Sequence, residues 1–115
     1  MLENKKGKES PPTKVAKLGL VLVAKTTSRN FTHLLRIADS ALDKPVEVYV
    51  YLLHEGVRGA DHKAWNKMVD RGLKLFACAY SARQRNVPLC EPATWVGLTL
   101  LNDLLVECDR VLTFP

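Results

Sequence analysis

Two kinds of hydrophobic pattern alternate along the chain. The first kind is a short, nearly continuous apolar run, rich in valine, leucine and aromatic residues and bounded by charged or turn-forming residues. Such a run predicts a buried strand. Runs of this kind cover residues 17–25 (KLGLVLVAK), 46–53 (VEVYVYLL), 74–80 (KLFACAY) and 110–114 (RVLTF).

The second kind has apolar residues at helical spacing and fills the stretches between the strands. These stretches cover residues 30–43, 61–72 and 93–109. Ser28 or Asn30 is suited to cap the first helix and Asp61 the second, while Gly72 is placed to end the second helix. Strands that alternate with helices predict βαβ units, and therefore a mostly parallel sheet of four to five strands with right-handed crossovers.

The chain has the length and composition of one globular domain. It has 115 residues, of which 47% are hydrophobic and 25% are charged. Residues 1–14 offer almost nothing apolar to bury, so we expect a flexible basic tail before a single α/β domain at 15–115. No apolar run approaches the roughly 18 residues of a membrane span, and the polar start lacks the apolar core of a signal peptide. We expect a cytoplasmic protein without membrane contact.

The net charge of +5 and the three cysteines add little to this picture. Several lysines lie in or beside the tail, and neither a basic helix nor a series of stacking aromatic residues points to nucleic acid. Free thiols are expected in a reducing compartment. The histidines are scattered, no Cys or His pair has zinc-type spacing, and no glycine-rich phosphate loop is present. We therefore expect neither a metal nor a cofactor.

Cys78 is the residue of greatest chemical interest, because it lies at the carboxyl end of the third strand, where parallel sheets gather their ligands. Strand alternation would bury its sulfur, and a lone cysteine in a strand is usually a packing residue. The segment that follows favours the other interpretation, since a helix capped by Ser81, with Arg83 and Arg85 nearby, would stabilise the nucleophilic thiolate. The residues alone leave both interpretations open.

Three other residues are weaker candidates. His54 lies at the same edge of the sheet and is either a proton-transfer group or a polar loop residue. Cys108 is expected in the core, on the apolar face of the last helix. Cys90 is expected on an exposed loop, where it is idle or acts as a second thiol to Cys78. The spacing of Cys78 and Ser81 is C-x-x-S, which leaves no intramolecular disulfide at that spacing.

Three segments, HEGVRG (54–59), LKLFACAYSARQRNV (73–87) and LLVECDRVLTF (104–114), together resemble the DsrE/DsrF-like family of DsrE- and TusD-type sulfur-relay proteins. The resemblance covers nearly all of the chain after the tail and implies a three-layer α/β/α sandwich of the DsrEFH-like kind. It places Cys78 at the position of the family's sulfur-carrying cysteine. Ser81 stands where many members have a second cysteine, and Asn86 stands where they have glycine. Asparagine tolerates the left-handed backbone of such a turn.

The resemblance implies a sulfur carrier. Cys78 would bind sulfane sulfur as a persulfide or thiosulfonate and pass it on, by sulfurtransferase-like exchange, in a sulfur relay or sulfur-oxidation pathway. Ser81, Arg83, Arg85 and His54 would bind the substrate. The partners would be sulfur donor and acceptor proteins or small sulfane-sulfur compounds, and the chain would form a homo- or hetero-oligomer, a trimer or hexamer.

Two alternatives stay open beside the carrier. One is a noncatalytic structural or binding subunit of a DsrE-like oligomer, in which Cys78 is merely buried. The other is a flavodoxin-type binder of a small ligand that uses the loop at 54–62.

Overall fold

The computed structural model describes residues 15–115, and the tail predicted at 1–14 lies outside the described residues. Within them, the strands form one parallel sheet in the order β4-β3-β2-β1-β5. The strands are β1 (Ala16–Leu22), β2 (Val46–Leu52), β3 (Lys74–Cys78), β4 (Thr94–Val96) and β5 (Arg110–Phe114). The parallel sheet predicted from the alternation of strands and helices is confirmed.

The helices connect these strands and cover both faces of the sheet. They are α1 (Arg29–Leu42), a 3₁₀ helix (His54–Gly59), α2 (Ala64–Asp70), α3 (Ala79–Gln84) and α4 (Leu98–Glu107). From β1 to β4 the chain advances in one direction across the sheet, and from β4 to β5 it runs back past all the other strands. Because crossovers between parallel strands are right-handed, α4 lies on the face opposite to α1 and α2. The result is the expected three-layer arrangement.

The two faces of the sheet differ in character. The face under α1 and α2 is apolar, and its leucine and valine side chains, among them Leu20, Val50 and Leu75, are almost completely buried. The other face, under α4, contains Tyr49 and Phe76 and holds a cavity of about 220 Å³ between the helix and the sheet. The main core therefore lies on one side of the sheet. No helix within residues 15–115 combines the length and the apolar character that crossing a bilayer would require.

Two boundaries near the third strand differ from the sequence-based expectations. β3 ends at Cys78 rather than at residue 80, because Cys78 itself caps α3 and the chain turns directly into the helix. Residues 54–59, expected as an open loop, form the 3₁₀ helix. Gly56 lets this helix lie against the end of β1, since a Cβ at that position would overlap the carbonyl oxygen of Leu22.

The helices α2 and α4 begin at other residues than the sequence predicts. Thr94–Val96, expected as the beginning of the last helix, is an edge strand that pairs with β3, as its β-branched and aromatic residues favour. Lys63, rather than Asp61, is the N-cap residue of α2. The first helix agrees with expectation, since the side chain of Ser28 caps it. Gly72, with a φ of 107°, follows α2 in the predicted left-handed region.

Candidate active site

Cys78 belongs to two elements at once, because it is both the last residue of β3 and the N-cap residue of α3. Its Sγ accepts a hydrogen bond from the backbone N–H of Ser81, with a distance of 3.4 Å between the sulfur and the nitrogen. The residue is only 1% exposed, which agrees with the burial that strand alternation predicts. The expectation that Ser81 caps the helix is wrong, since the cap is the thiol itself.

Ser81 links the thiol to the 3₁₀ helix that follows β2. It lies in the first turn of α3 and is 2% exposed. Its Oγ accepts a hydrogen bond of 3.1 Å from the backbone N–H of His54, the residue that begins the 3₁₀ helix after β2. The hydroxyl proton of Ser81 can then be donated to the sulfur. The structure thus brings His54, Ser81 and Cys78 together, and His54 takes part through its backbone rather than its imidazole.

Opposing influences set the pKa of the Cys78 thiol. Burial is the largest single influence and raises the pKa, because a thiolate is disfavoured in low-dielectric surroundings. Hydrogen bonds from the Ser81 hydroxyl and from the backbone N–H groups of Ser81 and Tyr80 lower the pKa, and the Tyr51 hydroxyl adds to them. Together these donors outweigh burial, so the pKa of Cys78 lies below its usual value.

These hydrogen bonds support one part of the explanation that the sequence suggests and leave the other part without support. The sequence predicts that a helix dipole and two arginines stabilise the thiolate. The two backbone donors, the N–H groups of Tyr80 and Ser81, belong to the first turn of α3, so the helix start does favour the thiolate. The remaining contributions that lower the pKa of Cys78 come from the hydroxyls of Ser81 and Tyr51 and not from an arginine.

The other two thiols have surroundings that disfavour the anion. Cys90 is half-buried, and burial followed by the negative charge of Asp61 raises its pKa. Cys108 is also half-buried, and burial again raises its pKa. Cys108 is the C-cap residue of α4, and its sulfur occupies the space that a Cβ at Gly19 of β1 would need. It packs against the core and lines the cavity under α4 together with Leu100 and Leu104, which agrees with the apolar face predicted for it, although the thiol is only partly buried. Cys78 is therefore the cysteine whose environment favours the thiolate.

The two predicted arginines occupy different places. The Nε of Arg85 donates to Glu55 at 2.7 Å, and its Nη1 donates to the backbone oxygen of Ser81 at 3.3 Å. Glu55 also accepts from Arg58 at 2.8 Å, and these hydrogen bonds to Arg85 and Arg58 lower the pKa of its carboxyl group. Arg85 thus fastens α3 to the 3₁₀ helix, and its charge is balanced by Glu55 instead of facing the sulfur.

Arg83 is exposed and lies in a groove along α3. The groove has a volume of about 250 Å³ and is lined by Arg83 together with Ala79, Val87 and Leu89. Ala79 directly follows Cys78 in the chain. Arg83 is thus the predicted arginine that is available to an anion near the site.

Asn86 ends the basic turn with a φ of 56°. The left-handed backbone that the family's glycine would allow is therefore present, as expected for asparagine.

Tyr51 is a site residue that the sequence analysis misses. It is completely buried, and its hydroxyl donates to the backbone oxygen of Gly97 at 2.9 Å. The same hydroxyl also lowers the pKa of the Cys78 thiol. Tyr51 pairs with Phe76 in the parallel register, so it shares a sheet face with Phe76 and with Cys78 two residues further on. The alternation of side chains along β3 already puts Phe76 and Cys78 on one face. That Tyr51 of β2 shares this face becomes known only from the register in which the two strands pair.

The fold and the site together define a class of protein, namely a parallel α/β protein with an anion-favouring cysteine at the carboxyl edge of its sheet. The family model described as DsrE/DsrF-like family matches residues 10–114, and the chain belongs to this family. Membership indicates a role in sulfur relay in general, in which family members act with partner proteins.

Among solved structures, the chain is similar to the crystal structure of ychN protein from E. coli. The TM-score is 0.70 at 15% sequence identity, and the match covers 88% of this chain and 100% of that chain. A likeness at this identity shows a shared fold. A comparison with curated proteins found no match.

Proposed function

We propose that this protein is a sulfur carrier that binds sulfane sulfur on Cys78 and passes it to a partner protein. The observation that carries the proposal is the contrast among the thiols. Cys78 is the most buried of them, and yet it is the one whose hydrogen-bond donors lower the pKa, whereas the pKa values of Cys90 and Cys108 are raised. A cysteine that only fills space needs no donors around its sulfur.

The chemistry is an exchange between sulfur atoms. The Cys78 thiolate attacks the outer sulfur of a donor persulfide, so a new sulfur–sulfur bond forms at Cys78, and the old bond breaks to release the donor thiolate. With thiosulfate as donor the leaving group is sulfite. An acceptor thiolate then attacks the outer sulfur on Cys78 and releases the Cys78 thiolate. Both steps conserve electrons, so no external oxidant or reductant takes part.

The groove beside α3 is the proposed approach for the donor. It borders Ala79, the residue after Cys78, and it presents Arg83 to an anionic donor such as thiosulfate or a persulfide anion. Because Cys78 is 1% exposed, the first turn of α3 must move before its sulfur can be attacked. The hydrogen bond between Ser81 and His54 holds this turn in its closed position.

Intact-mass spectrometry tests the carrier. The wild type, Cys78→Ser, Cys90→Ser and Cys108→Ser are each incubated with polysulfide, thiosulfate or tetrathionate and are then treated with a reductant. We expect adducts of one or more sulfur atoms, or a thiosulfonate, that are reversed by the reductant and are absent only in Cys78→Ser. Serine is a stronger N-cap residue than cysteine, so Cys78→Ser should stay folded. An unmodified wild type, or an adduct that persists in Cys78→Ser, would contradict the proposal.

The second candidate is a noncatalytic subunit of a DsrE-like oligomer. The near-complete burial of Cys78 favours it. In this case Cys78 would be alkylated only after denaturation, whereas a carrier thiol reacts in the folded protein through local opening of α3. The ratio of Cys78 to Cys108 alkylation, with and without urea, distinguishes the two candidates.

The cytoplasmic location and the assembly into a trimer or hexamer stay predictions.

A further inference from the structure

The side chain of Tyr51 crosses the strand that carries the thiol. Tyr51 lies in β2, on the same sheet face as Phe76 and Cys78 of β3. Its hydroxyl donates to the carbonyl of Gly97, and Gly97 directly follows Val96, the residue of β4 that pairs with Cys78. Because β3 lies between β2 and β4, the side chain must pass over β3 beside Cys78 to make this hydrogen bond.

One hydroxyl proton therefore has two acceptors beside it, the carbonyl of Gly97 and the sulfur of Cys78. In the structure the carbonyl holds it. Once the thiol loses its proton, the sulfur becomes the better acceptor, because a hydrogen bond to a charged group is roughly twice as strong as a neutral one. We propose that Tyr51 is a positioning residue of the sulfur-carrying site, whose hydroxyl turns from Gly97 to Cys78 when the sulfur is an anion.

Tyr51 keeps its own proton during this exchange of acceptors. Burial, and then the charge on Cys78, raise the pKa of its hydroxyl. The thiol proton leaves to a base or to water when the sulfur ionises, and the Tyr51 proton only changes direction. Gly97 is the N-cap residue of α4, so the charge of the sulfur is connected to the start of that helix.

Charged groups near the site do not replace this donor. At the carboxyl edge of the sheet, the other titratable or charged side chains on the 3₁₀ helix and α3 are His54, Glu55, Arg58, Tyr80, Arg83 and Arg85. Glu47, Tyr49 and Lys74 lie further towards the starts of β2 and β3, since Tyr49 pairs with Lys74. On α4, Asp103 and Glu107 line the cavity beside Tyr49 and Phe76. Glu55 pairs with Arg58 and Arg85, and the hydroxyl of Tyr80 accepts from Gln84. The side-chain donors that act on the sulfur are the hydroxyls of Ser81 and Tyr51.

The test compares Tyr51→Phe with Tyr49→Phe. Tyr49 is a matched control, because it lies on the same strand and the same face, and its hydroxyl donates to Glu47 at 2.7 Å. The rate at which iodoacetamide alkylates Cys78 is followed over a range of pH by peptide-resolved mass spectrometry, with Cys90 and Cys108 as internal references. The midpoint of the pH–rate curve gives the pKa of Cys78, and the plateau at high pH reports the accessibility of the sulfur together with the intrinsic reactivity of its thiolate, which rises with the pKa.

Tyr51→Phe should raise the midpoint by about one pKa unit, which corresponds to a tenfold loss of thiolate at lower pH. The rate there should fall by about threefold, since a more basic thiolate is intrinsically a better nucleophile, with a Brønsted coefficient of about 0.4–0.5. Tyr49→Phe should leave the midpoint unchanged. A changed plateau with an unchanged midpoint in Tyr51→Phe would mean a purely structural role and would overturn the proposal.

A second substitution covers the case in which Tyr51→Phe does not fold. Replacing Tyr51 with a ring-fluorinated tyrosine keeps the ring and the hydroxyl and strengthens the donor, so the midpoint should fall. An unchanged midpoint would again overturn the proposal.

The role given to Tyr51 rests on the proposed function, because it concerns the thiol that would carry sulfur. The alkylation midpoint can nevertheless be measured whether or not the protein carries sulfur. The midpoint is measured on the thiol without any sulfur donor. A failure of sulfur loading and a failure of the Tyr51 hydrogen bond are therefore separate results.

Discussion

Replacing Ser81 with alanine removes one oxygen atom that links α3, the 3₁₀ helix and the thiol. In the folded protein this oxygen accepts from the backbone N–H of His54 at 3.1 Å, which leaves its hydroxyl proton free to be donated to the sulfur of Cys78 and so to lower the pKa of the thiol. Ser81 is 2% exposed, so water has little access to replace either hydrogen bond. Alanine keeps the Cβ and the helical backbone, so the change is confined to the hydroxyl group.

The size of the effect follows from the charge of the acceptor. A hydrogen bond to a charged group contributes about 1.5–3 kcal/mol. Since one pKa unit corresponds to about 1.4 kcal/mol, the pKa of Cys78 should rise by about one to two units in Ser81→Ala. The lost hydrogen bond from the N–H of His54 should also lower the free energy of unfolding, by about 1 kcal/mol at neutral pH.

The loss of stability should grow with pH. The pKa of Cys78 is lower in the folded protein than in the unfolded chain, so between these two values the unfolded chain binds more protons. The stabilisation that results is present in full above the unfolded pKa of about 8.5 and disappears as the pH falls through the folded pKa. The raised pKa values of Cys90 and Cys108 make stability fall with pH, but they do so equally in the wild type and in Ser81→Ala. Their contributions therefore cancel in the difference in unfolding free energy between the two proteins.

Urea unfolding at several pH values and the alkylation rate of Cys78 as a function of pH measure both effects. Ser40→Ala, on the exposed side of α1, is the matched control and should change neither quantity. If folded Ser81→Ala has the Cys78 midpoint of the wild type, or if its loss of stability is the same at neutral and alkaline pH, the assignment of Ser81 as a donor to the thiolate is refuted.

Two further predictions follow from the surroundings of the site. Gly56→Ala should destabilise the protein by about 1–3 kcal/mol in urea unfolding, because the added Cβ meets the rigid backbone of Leu22. Gly97→Ser is the control and should not destabilise the protein, because the new side chain has open space and serine is a favoured N-cap residue at the start of α4. Arg85→Ala should lower the protection of the amides of α3 in hydrogen exchange, because the ion pair to Glu55 is lost, while Arg83→Ala should leave that protection intact and slow the loading of Cys78 by thiosulfate. Equal protection in the two arginine variants would contradict the assigned roles.

The sequence by itself determined the class of fold and the position of the thiol along the chain. Continuous apolar runs and helical spacing correctly indicated β1, β2, β3, β5 and the helices α1, α2 and α4, because each of these elements buries a face whose period can be read from the chain. The edge strand β4 was missed, because its three residues are too short to show a period and join an apolar helical run. The cysteine at the carboxyl end of β3 was also identifiable from order alone.

Only the tertiary structure decided what surrounds the sulfur. The donors come from separate parts of the chain, with Tyr51 in β2 and Ser81 in α3, and the backbone N–H of His54 supports Ser81. Which residues meet across parallel strands depends on their register, and one residue of shift would send Tyr51 to the opposite face. Arg85 is a second example. The sequence shows that it lies close to Cys78 along the chain, but not that its guanidinium donates to the carboxylate of Glu55.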